Sequence, residues 1–254
     1  MPSRPSLIIV GHGSSTSSAA EEAANEHAIT LRQSRRFGSV LTHFIQKGKG
    51  LPPLPDGEVF ILPFFMSDGF FVNRKIPELF DLVGGERRSA RQHITLCDAI
   101  GMDPELADII DGCAAEVRQR HRIFTKDLGL LLVAHGSTKN SASRDAAVKQ
   151  QQAVQTRNIA DCVEVAFLEE PPSIEECLVR LGKTYKHIVM IGLFSANGPH
   201  ATEDVAEAIC RFERKIGSND TARPALYYQG AIGVRPEIVR LIQNSISRKA
   251  AAVG

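Results

Sequence analysis

Leu7-Ile-Ile-Val-Gly-His-Gly-Ser14 and Leu130-Leu-Leu-Val-Ala-His-Gly-Ser137 are two versions of one segment within a single chain. Each begins with an apolar run that lacks polar alternation, the pattern of a parallel strand covered on both faces. His-Gly-Ser follows in both. Glycine permits a sharp turn there, and the serine, Ser14 or Ser137, is suited to capping the helix that comes next. The histidine therefore stands at the carboxyl end of a strand, the edge at which open α/β sheets place their ligands.

Two further pairs extend the repeat outward from this segment. Val59-Phe-Ile-Leu-Pro-Phe-Phe-Met-Ser-Asp-Gly69 returns as Ile188-Val-Met-Ile-Gly-Leu-Phe-Ser-Ala-Asn-Gly198, and Ala99-Ile-Gly-Met-Asp-Pro-Glu105 returns as Ala231-Ile-Gly-Val-Arg-Pro-Glu237. The spacing is nearly constant from His12 to His135, Gly69 to Gly198 and Gly101 to Gly233. The chain thus divides into homologous halves, 1–125 and 126–254. Apolar runs at 7–10, 59–65, 130–134 and 188–194 read as strands. Amphipathic stretches from Ala19 to Arg35, Asp103 to Arg120, Ala201 to Lys215 and Arg235 to Arg248 read as helices, with Pro104-Glu105 and Pro236-Glu237 in their first turns. The expected fold is α/β: two doubly wound domains with parallel sheets facing a central cleft.

The halves differ at one crossover. Pro171 to Lys183 supplies a helix in the second half, whereas Gln46-Lys-Gly-Lys-Gly-Leu-Pro-Pro-Leu-Pro-Asp-Gly57 is too rich in glycine and proline to form one.

Composition narrows the function. The chain has 254 residues, 43% hydrophobic and 23% charged, and a net charge of +1, so it can build an ordinary core. It shows no basic excess of the kind nucleic-acid binding requires. No apolar run reaches membrane-spanning length, and the start does not read as a signal peptide. Five scattered cysteines without a C-x-x-C pair suit reduced thiols in the cytoplasm and offer no iron–sulfur motif.

Three strand ends carry the candidate chemistry. A turn histidine occurring once would be read as packing; two in identical frames, His12 and His135, point to function. In Leu193-Phe-Ser-Ala-Asn-Gly-Pro-His-Ala-Thr-Glu-Asp-Val205, a Gly-Pro loop presents His200 ahead of an acidic helix start. Imidazoles from two parallel strands can converge on one divalent cation, since imidazole suits Co, Ni, Fe and Zn alike. Val165-Ala-Phe-Leu-Glu-Glu-Pro-Pro172 places Glu169 at a third strand terminus. Glu170, one residue further on, reads as a routine helix-start acid.

The order HGS, FLE, G-x-H-x-x-x-D resembles the class II tetrapyrrole chelatases of the sirohydrochlorin cobaltochelatase and ferrochelatase family, in its long form with two units. The resemblance covers nearly the whole chain. It implies ATP-independent insertion of a divalent metal (Co2+ or Fe2+, with Ni2+ handled by relatives) into sirohydrochlorin or a similar carboxylate-rich tetrapyrrole, in cobalamin or siroheme biosynthesis. It implies His135 and His200 as metal ligands with Glu169 assisting, and Asp204 as the acid that follows the second histidine. No G-x-x-x-x-G-K-[ST] run suggests a nucleotide motor. Neutral imidazoles with a carboxylate can hold a metal and then accept the two pyrrole protons.

The first half departs from this pattern. Gln46 stands where Glu169 stands, Phe71 where His200 stands and Lys75 where Asp204 stands, so a single metal centre is expected, with the first half as a wall for the macrocycle. His43 reads as a core or surface histidine. Substrate carboxylates are expected to meet Lys139, Arg144, Arg74 and Lys75, with Ser137 and His12 nearby. Two units in one chain suit a monomer. A non-catalytic metal or tetrapyrrole carrier is the alternative. A hydrolase using Ser137 beside His135 is disfavoured, because adjacent residues do not reach base–nucleophile geometry and no G-x-S-x-G elbow exists.

Overall fold

The computed structural model describes residues 4–13, 17–47, 50–216 and 223–253. Ser14, expected to cap a helix, lies outside the described residues. In chain order the elements are β1 (Ser6–Gly11), α1 (Ala19–Gln33), β2 (Val40–Phe44), β3 (Gly57–Pro63), α2 (Ile76–Phe80), β4 (Glu86–Arg88), β5 (Gln92–Leu96) and α3 (Leu106–His121). They continue with β6 (Leu128–Ala134), α4 (Ala142–Gln155), β7 (Cys162–Phe167), α5 (Ile174–Gly182), β8 (His187–Gly192), α6 (Val205–Ile216), β9 (Ala225–Ala231) and α7 (Ile238–Val253).

The compact units do not follow the repeat. Unit 1 comprises Met1–Asp103 with Pro236–Gly254, and unit 2 comprises Pro104–Arg235. The division at 125/126 marks the repeat in sequence, whereas in space each half's last helix completes the other half's unit. α7 packs against α1 in unit 1, and α3 packs against α4 and β8 in unit 2. Ion pairs fasten both arrangements: Arg248 with the buried Asp103 in unit 1, and Arg157 with Asp108 and Asp111 and Arg235 with Glu116 in unit 2.

Unit 2 is a four-stranded parallel sheet in the order β7-β6-β8-β9. Strand order reverses at β6 and β8, which puts the switch-point crevice at their carboxyl ends. One face is sealed by α5 and α6: Cys177, Leu178, Leu181, Val205, Ala208 and Phe212 pack on Leu131, Val133, Ile188 and Met190. The α5 crossover starts with a capping box, in which Glu176 N–H donates to Ser173 Oγ and Ser173 N–H donates to Glu176 Oε2.

Unit 1 repeats the order as β2-β1-β3-β5 and adds β4 at the edge, antiparallel to β5. The expected parallel sheet is present in both units, and β4 is an antiparallel edge strand added to that of unit 1. Among the described residues between β2 and β3 only a short 3₁₀ turn, Ile45–Lys47, is helical. Leu51 and Leu54 from that trimmed segment pack on the core where unit 2 has α5. Pro104-Glu105 and Pro236-Glu237 precede their helices, which begin at Leu106 and Ile238.

The third repeated signature has a steric cause. Gly101 and Gly233 sit in 3₁₀ turns and donate their N–H to Phe65 and Phe194 carbonyls, each at 3.0 Å. A Cβ at Gly101 would lie 2.1 Å from Met66 O, and one at Gly233 would lie 2.3 Å from Ser195 O. Backbone meets backbone, so only glycine fits, and the loop after β3 or β8 is pressed into place.

Cys97, Cys113 and Cys177 are buried, Cys162 is half-buried and Cys210 is exposed. Burial pushes the Cys97 and Cys177 thiols up to about 12, which makes them inert packing groups. Among the described residues no helix is long and apolar enough to cross a membrane.

Candidate metal centre

The carbonyl of His135, just past β6, gathers the site's first two strand ends. It accepts N–H from Leu168 at 3.1 Å and from Glu169 at 3.0 Å, which brings the residues after β7 alongside the histidine. Leu193 N–H donates to Val133 O at 2.7 Å and ties the end of β8 to the same strand. Gly136 adopts φ +75°, and a Cβ there would lie 2.8 Å from Glu170 Cγ and 2.9 Å from Phe167 Cβ. The glycine of His-Gly-Ser is thus fixed by both its backbone conformation and its neighbours.

His200 opens a π-helical turn, His200–Asp204, that leads into α6. Tyr228 on β9 donates its hydroxyl to Ala201 O at 2.6 Å, and Asn197 Oδ1 accepts Ala231 N–H at 2.9 Å, so β9 pins the loop on both sides. The wide turn sets His200 and Asp204 side by side, with Nδ1 2.6 Å from Oδ2.

The two imidazole rings meet edge to face, with centroids 4.5 Å apart and planes at 85°. Glu169 Oε1 lies 3.6 Å from His135 Nε2. Hydrogen bonding defines what each ring presents. His135 Nδ1–H donates to Gly136 O at 3.0 Å, and His200 Nδ1–H donates to the Asp204 carboxylate. In the neutral rings this leaves the lone pair on Nε2 of each histidine, a tautomer able to ligate a metal, with the Asp204 carboxylate behind the His200 ring. His135, Glu169 and His200 are all substantially exposed, at 38%, 53% and 56% of their side chains. Among the described residues no three His, Cys, Asp or Glu groups are gathered into a cage that would hold a metal outright. The constellation is an imidazole pair with a carboxylate at its side, open to solvent.

Glu170 contributes more than a helix-start acid. Its side chain is only 12% exposed. Oε1 accepts Ser137 N–H at 3.0 Å, while Oε2 accepts Arg144 Nε–H at 3.1 Å and Nη2–H at 2.6 Å. Arg144 also donates to Pro171 O at 2.6 Å, and its guanidinium lies 4.7 Å from the Phe167 ring centroid. Glu170 therefore clamps the His135 loop to the loop that carries Glu169. The EEPP run held this acid in view, but its partner Arg144 lies on α4, and no local spacing links them.

The expected substrate cations fare unevenly. Arg144 is committed to Glu170 and Pro171 and presents no free guanidinium fork. Ser137 does not cap α4, which starts at Ala142; its Oγ accepts Lys139 N–H at 3.1 Å, and its own N–H is taken by Glu170. Lys139 is exposed beside this turn. Arg74 and Lys75 both pair with Glu78, at 3.0 and 3.1 Å.

In unit 1 the same frame carries other side chains. His12 O accepts Gln46 N–H at 2.8 Å, His12 Nδ1–H donates to Gly13 O at 2.7 Å, and Phe71 opens a π-helical turn, Phe71–Lys75. His12 and Phe71 meet with centroids 4.4 Å apart and planes at 88°. Gln46 Nε2 lies 3.3 Å from His12 Nε2 and donates to it. An amide donor thus occupies the lone pair that the Glu169 carboxylate leaves open in unit 2. His43 is buried one residue before the end of β2, with its ring against Phe80.

The CbiX family model matches residues 6–117 and 129–249. A curated relative, the probable sirohydrochlorin cobaltochelatase of Halobacterium salinarum, is 26% identical over 98% of this chain and 92% of its own length. A multi-domain protein of Deinococcus radiodurans, described as structurally similar to chelatases, superposes with a TM-score of 0.78 at 21% identity over 95% of this chain. The chain spans about half of that protein, 54%. SirB of Bacillus subtilis, solved with Fe3+, superposes with a TM-score of 0.73 at 15% identity over 98% of this chain and 96% of its own. Two family matches laid end to end, each starting at the strand that leads into a His-Gly-Ser turn, place the chain in the CbiX family.

Proposed function

We propose that the protein inserts a divalent metal, cobalt or iron, into sirohydrochlorin or a closely related carboxylate-rich tetrapyrrole, without ATP or an iron–sulfur cluster, and that unit 2 carries the chemistry. It acts in the cytoplasm as a monomer, in cobalamin or siroheme biosynthesis. The observation that carries this reading is the pair of edge-to-face imidazoles, each with Nδ1–H hydrogen-bonded so that Nε2 carries the lone pair, with Glu169 beside His135. The names of the relatives supply the substrate class, and the metals in those names are cobalt and iron.

The reaction exchanges one M2+ for two pyrrole protons. His135 and His200 receive the metal through Nε2, and Asp204 holds the His200 ring so that its lone pair faces the metal. An open site with few protein ligands lets the metal leave, which a closed four-ligand cage would oppose. As the macrocycle nitrogens replace the imidazoles, Glu169 and the vacated imidazoles accept the protons released.

The test is the absorbance change on mixing metal-free sirohydrochlorin with Co2+, Fe2+ or Ni2+ and enzyme, with the spontaneous rate subtracted. Catalysed insertion that disappears in His135→Ala and His200→Ala supports the reading. Tight metal or tetrapyrrole binding without any rate above the spontaneous one would transfer the protein to the carrier class.

A further inference from the structure

Unit 1 has kept the geometry of the metal centre while replacing its chemistry with rings. Phe70 and Phe71 stand where unit 2 has Pro199 and His200. Phe71 is contacted edge to face by His12 at 4.4 Å and by Phe70 at 5.7 Å, and it lies nearly parallel to Phe65 at 6.0 Å and 17°. Phe70 is 52% exposed. A single exposed phenyl ring is unremarkable, but two phenyl rings and an imidazole gathered around Phe71 at the switch-point edge of a sheet form a platform. The chain has no tryptophan and only 6% aromatic residues, so this is a local concentration.

Cations border the platform. Lys75 Nζ lies 5.5 Å from the Phe70 ring centroid, and Arg74 is largely exposed. Both share the one carboxylate of Glu78, so this cluster of three side chains is net positive. Those two cations hold Glu78 below the usual carboxylate range, so the cluster keeps this charge pattern at neutral pH. No ligand of a metal is offered: the His12 lone pair is taken by Gln46, and Phe71 has none.

We propose that this platform binds the tetrapyrrole itself, independently of metal: a flat conjugated ring against Phe70 and Phe71, with peripheral carboxylates toward Lys75 and Arg74. The occupant follows from the chemistry of the surface, since ring faces favour a flat π system and the cationic edge favours carboxylates. This rests on the reading of the substrate given above. It also goes beyond it, because it assigns unit 1 an affinity that persists whether or not the macrocycle is metallated.

The experiment is titration of metal-free sirohydrochlorin into the full chain, followed by absorbance, for wild type, Phe70→Ala, Phe70→Tyr and Arg74→Ala/Lys75→Ala, and for His135→Ala/His200→Ala. Circular dichroism checks that each variant is folded. Loss of one stacking ring should weaken binding ~10-fold, within the range known for aromatic stacking of flat heterocycles. Phe70→Tyr should retain near-wild-type affinity, the double cation variant should bind more weakly with a flatter salt dependence, and the double histidine variant should still bind while inserting no metal. Insertion by wild type together with unchanged affinity in Phe70→Ala overturns the platform and leaves the metal centre standing. Binding that depends on Phe70 in a wild type that inserts no metal overturns the chelatase reading and leaves the platform standing. A wild type that does not bind sirohydrochlorin overturns the platform directly.

Discussion

His135 with His200, and His12 with Phe71, are one arrangement in two chemistries. Ring separations of 4.5 and 4.4 Å and interplanar angles of 85° and 88° are almost the same. So are the carbonyl ties, from His135 O to Glu169 N–H and from His12 O to Gln46 N–H, and the π-helical turns that follow. Backbone hydrogen bonds and close-packed glycines therefore set the geometry, and side-chain identity alone sets whether a cation can bind. The difference comes down to which lone pairs are left free. A carboxylate beside His135 cannot donate to Nε2, whereas the Gln46 amide does donate to His12. The His200 imidazole can ligate, whereas the phenyl ring in its place cannot.

The largest expected effect tests this asymmetry directly. His135→Ala or His200→Ala should lower catalysed insertion by roughly 10²-fold or more, as expected for loss of a group that both ligates and moves protons. His12→Ala should retain most of the wild-type rate. Equal losses at His12 and His135 would erase the contrast between the halves.

Next come the groups that act through the ligands. Asp204→Asn and Glu170→Gln should each weaken Co2+ binding about 10–100-fold, the usual range for residues that orient metal ligands. Asp204→Asn leaves a hydrogen-bond partner for His200, so it should act on affinity more than on fold. Glu170→Gln keeps the shape of the clamp but removes the charge facing Arg144. Co2+ affinities equal to wild type in both variants would reduce these carboxylates to bystanders.

A constructive version of the comparison is Gln46→Glu combined with Phe71→His and Lys75→Asp. These changes restore to unit 1 the donor set of unit 2 on a matching backbone. Equilibrium dialysis with Co2+ should move the stoichiometry from one site towards two, with the new site the weaker. If the stoichiometry stays at one, the shared geometry is insufficient, and features such as the Glu170 clamp are required.

The smallest effect concerns His43, which sits where the second half has Ala166. Burial pulls the His43 imidazole below its ordinary value. The folded chain then resists a proton that the unfolded chain accepts near pH ~6.5. The stability this neutral, buried ring represents is complete above that pH and declines as pH falls towards the lowered folded value. His43→Phe keeps a ring against Phe80 and removes the titration, so its urea midpoint should fall less between about pH 7.5 and 5.5 than that of wild type. Identical falls would show that other groups set the acid limb.

Much of this was legible in sequence because repetition turned weak signals into strong ones. Each His-Gly-Ser turn, read alone, is a turn. Two in the same frame located the strand ends, and the substitutions at Gln46, Phe71 and Lys75 marked the altered half. The partnership of Glu170 with Arg144 was not legible, since it joins a loop after β7 to a helix after β6 and leaves no periodicity. Nor was the edge strand β4, whose Glu86-Arg87-Arg88 has neither apolar character nor alternation. The helix exchange between repeat and unit was equally hidden, because the sequence pattern of a helix does not say which sheet it will cover.

That exchange bears on how the protein is made. Unit 2 is one continuous stretch, Pro104–Arg235, whereas unit 1 is assembled from two segments, one on either side of it. On the ribosome the first-made strands, β1 to β5, must therefore wait, with one face lacking α7, until that helix has been made. The second-made unit has all its parts earlier. The order of emergence and the order of completion are inverted, and a stop between Arg235 and α7 would leave unit 2 whole and unit 1, made first, unfinished.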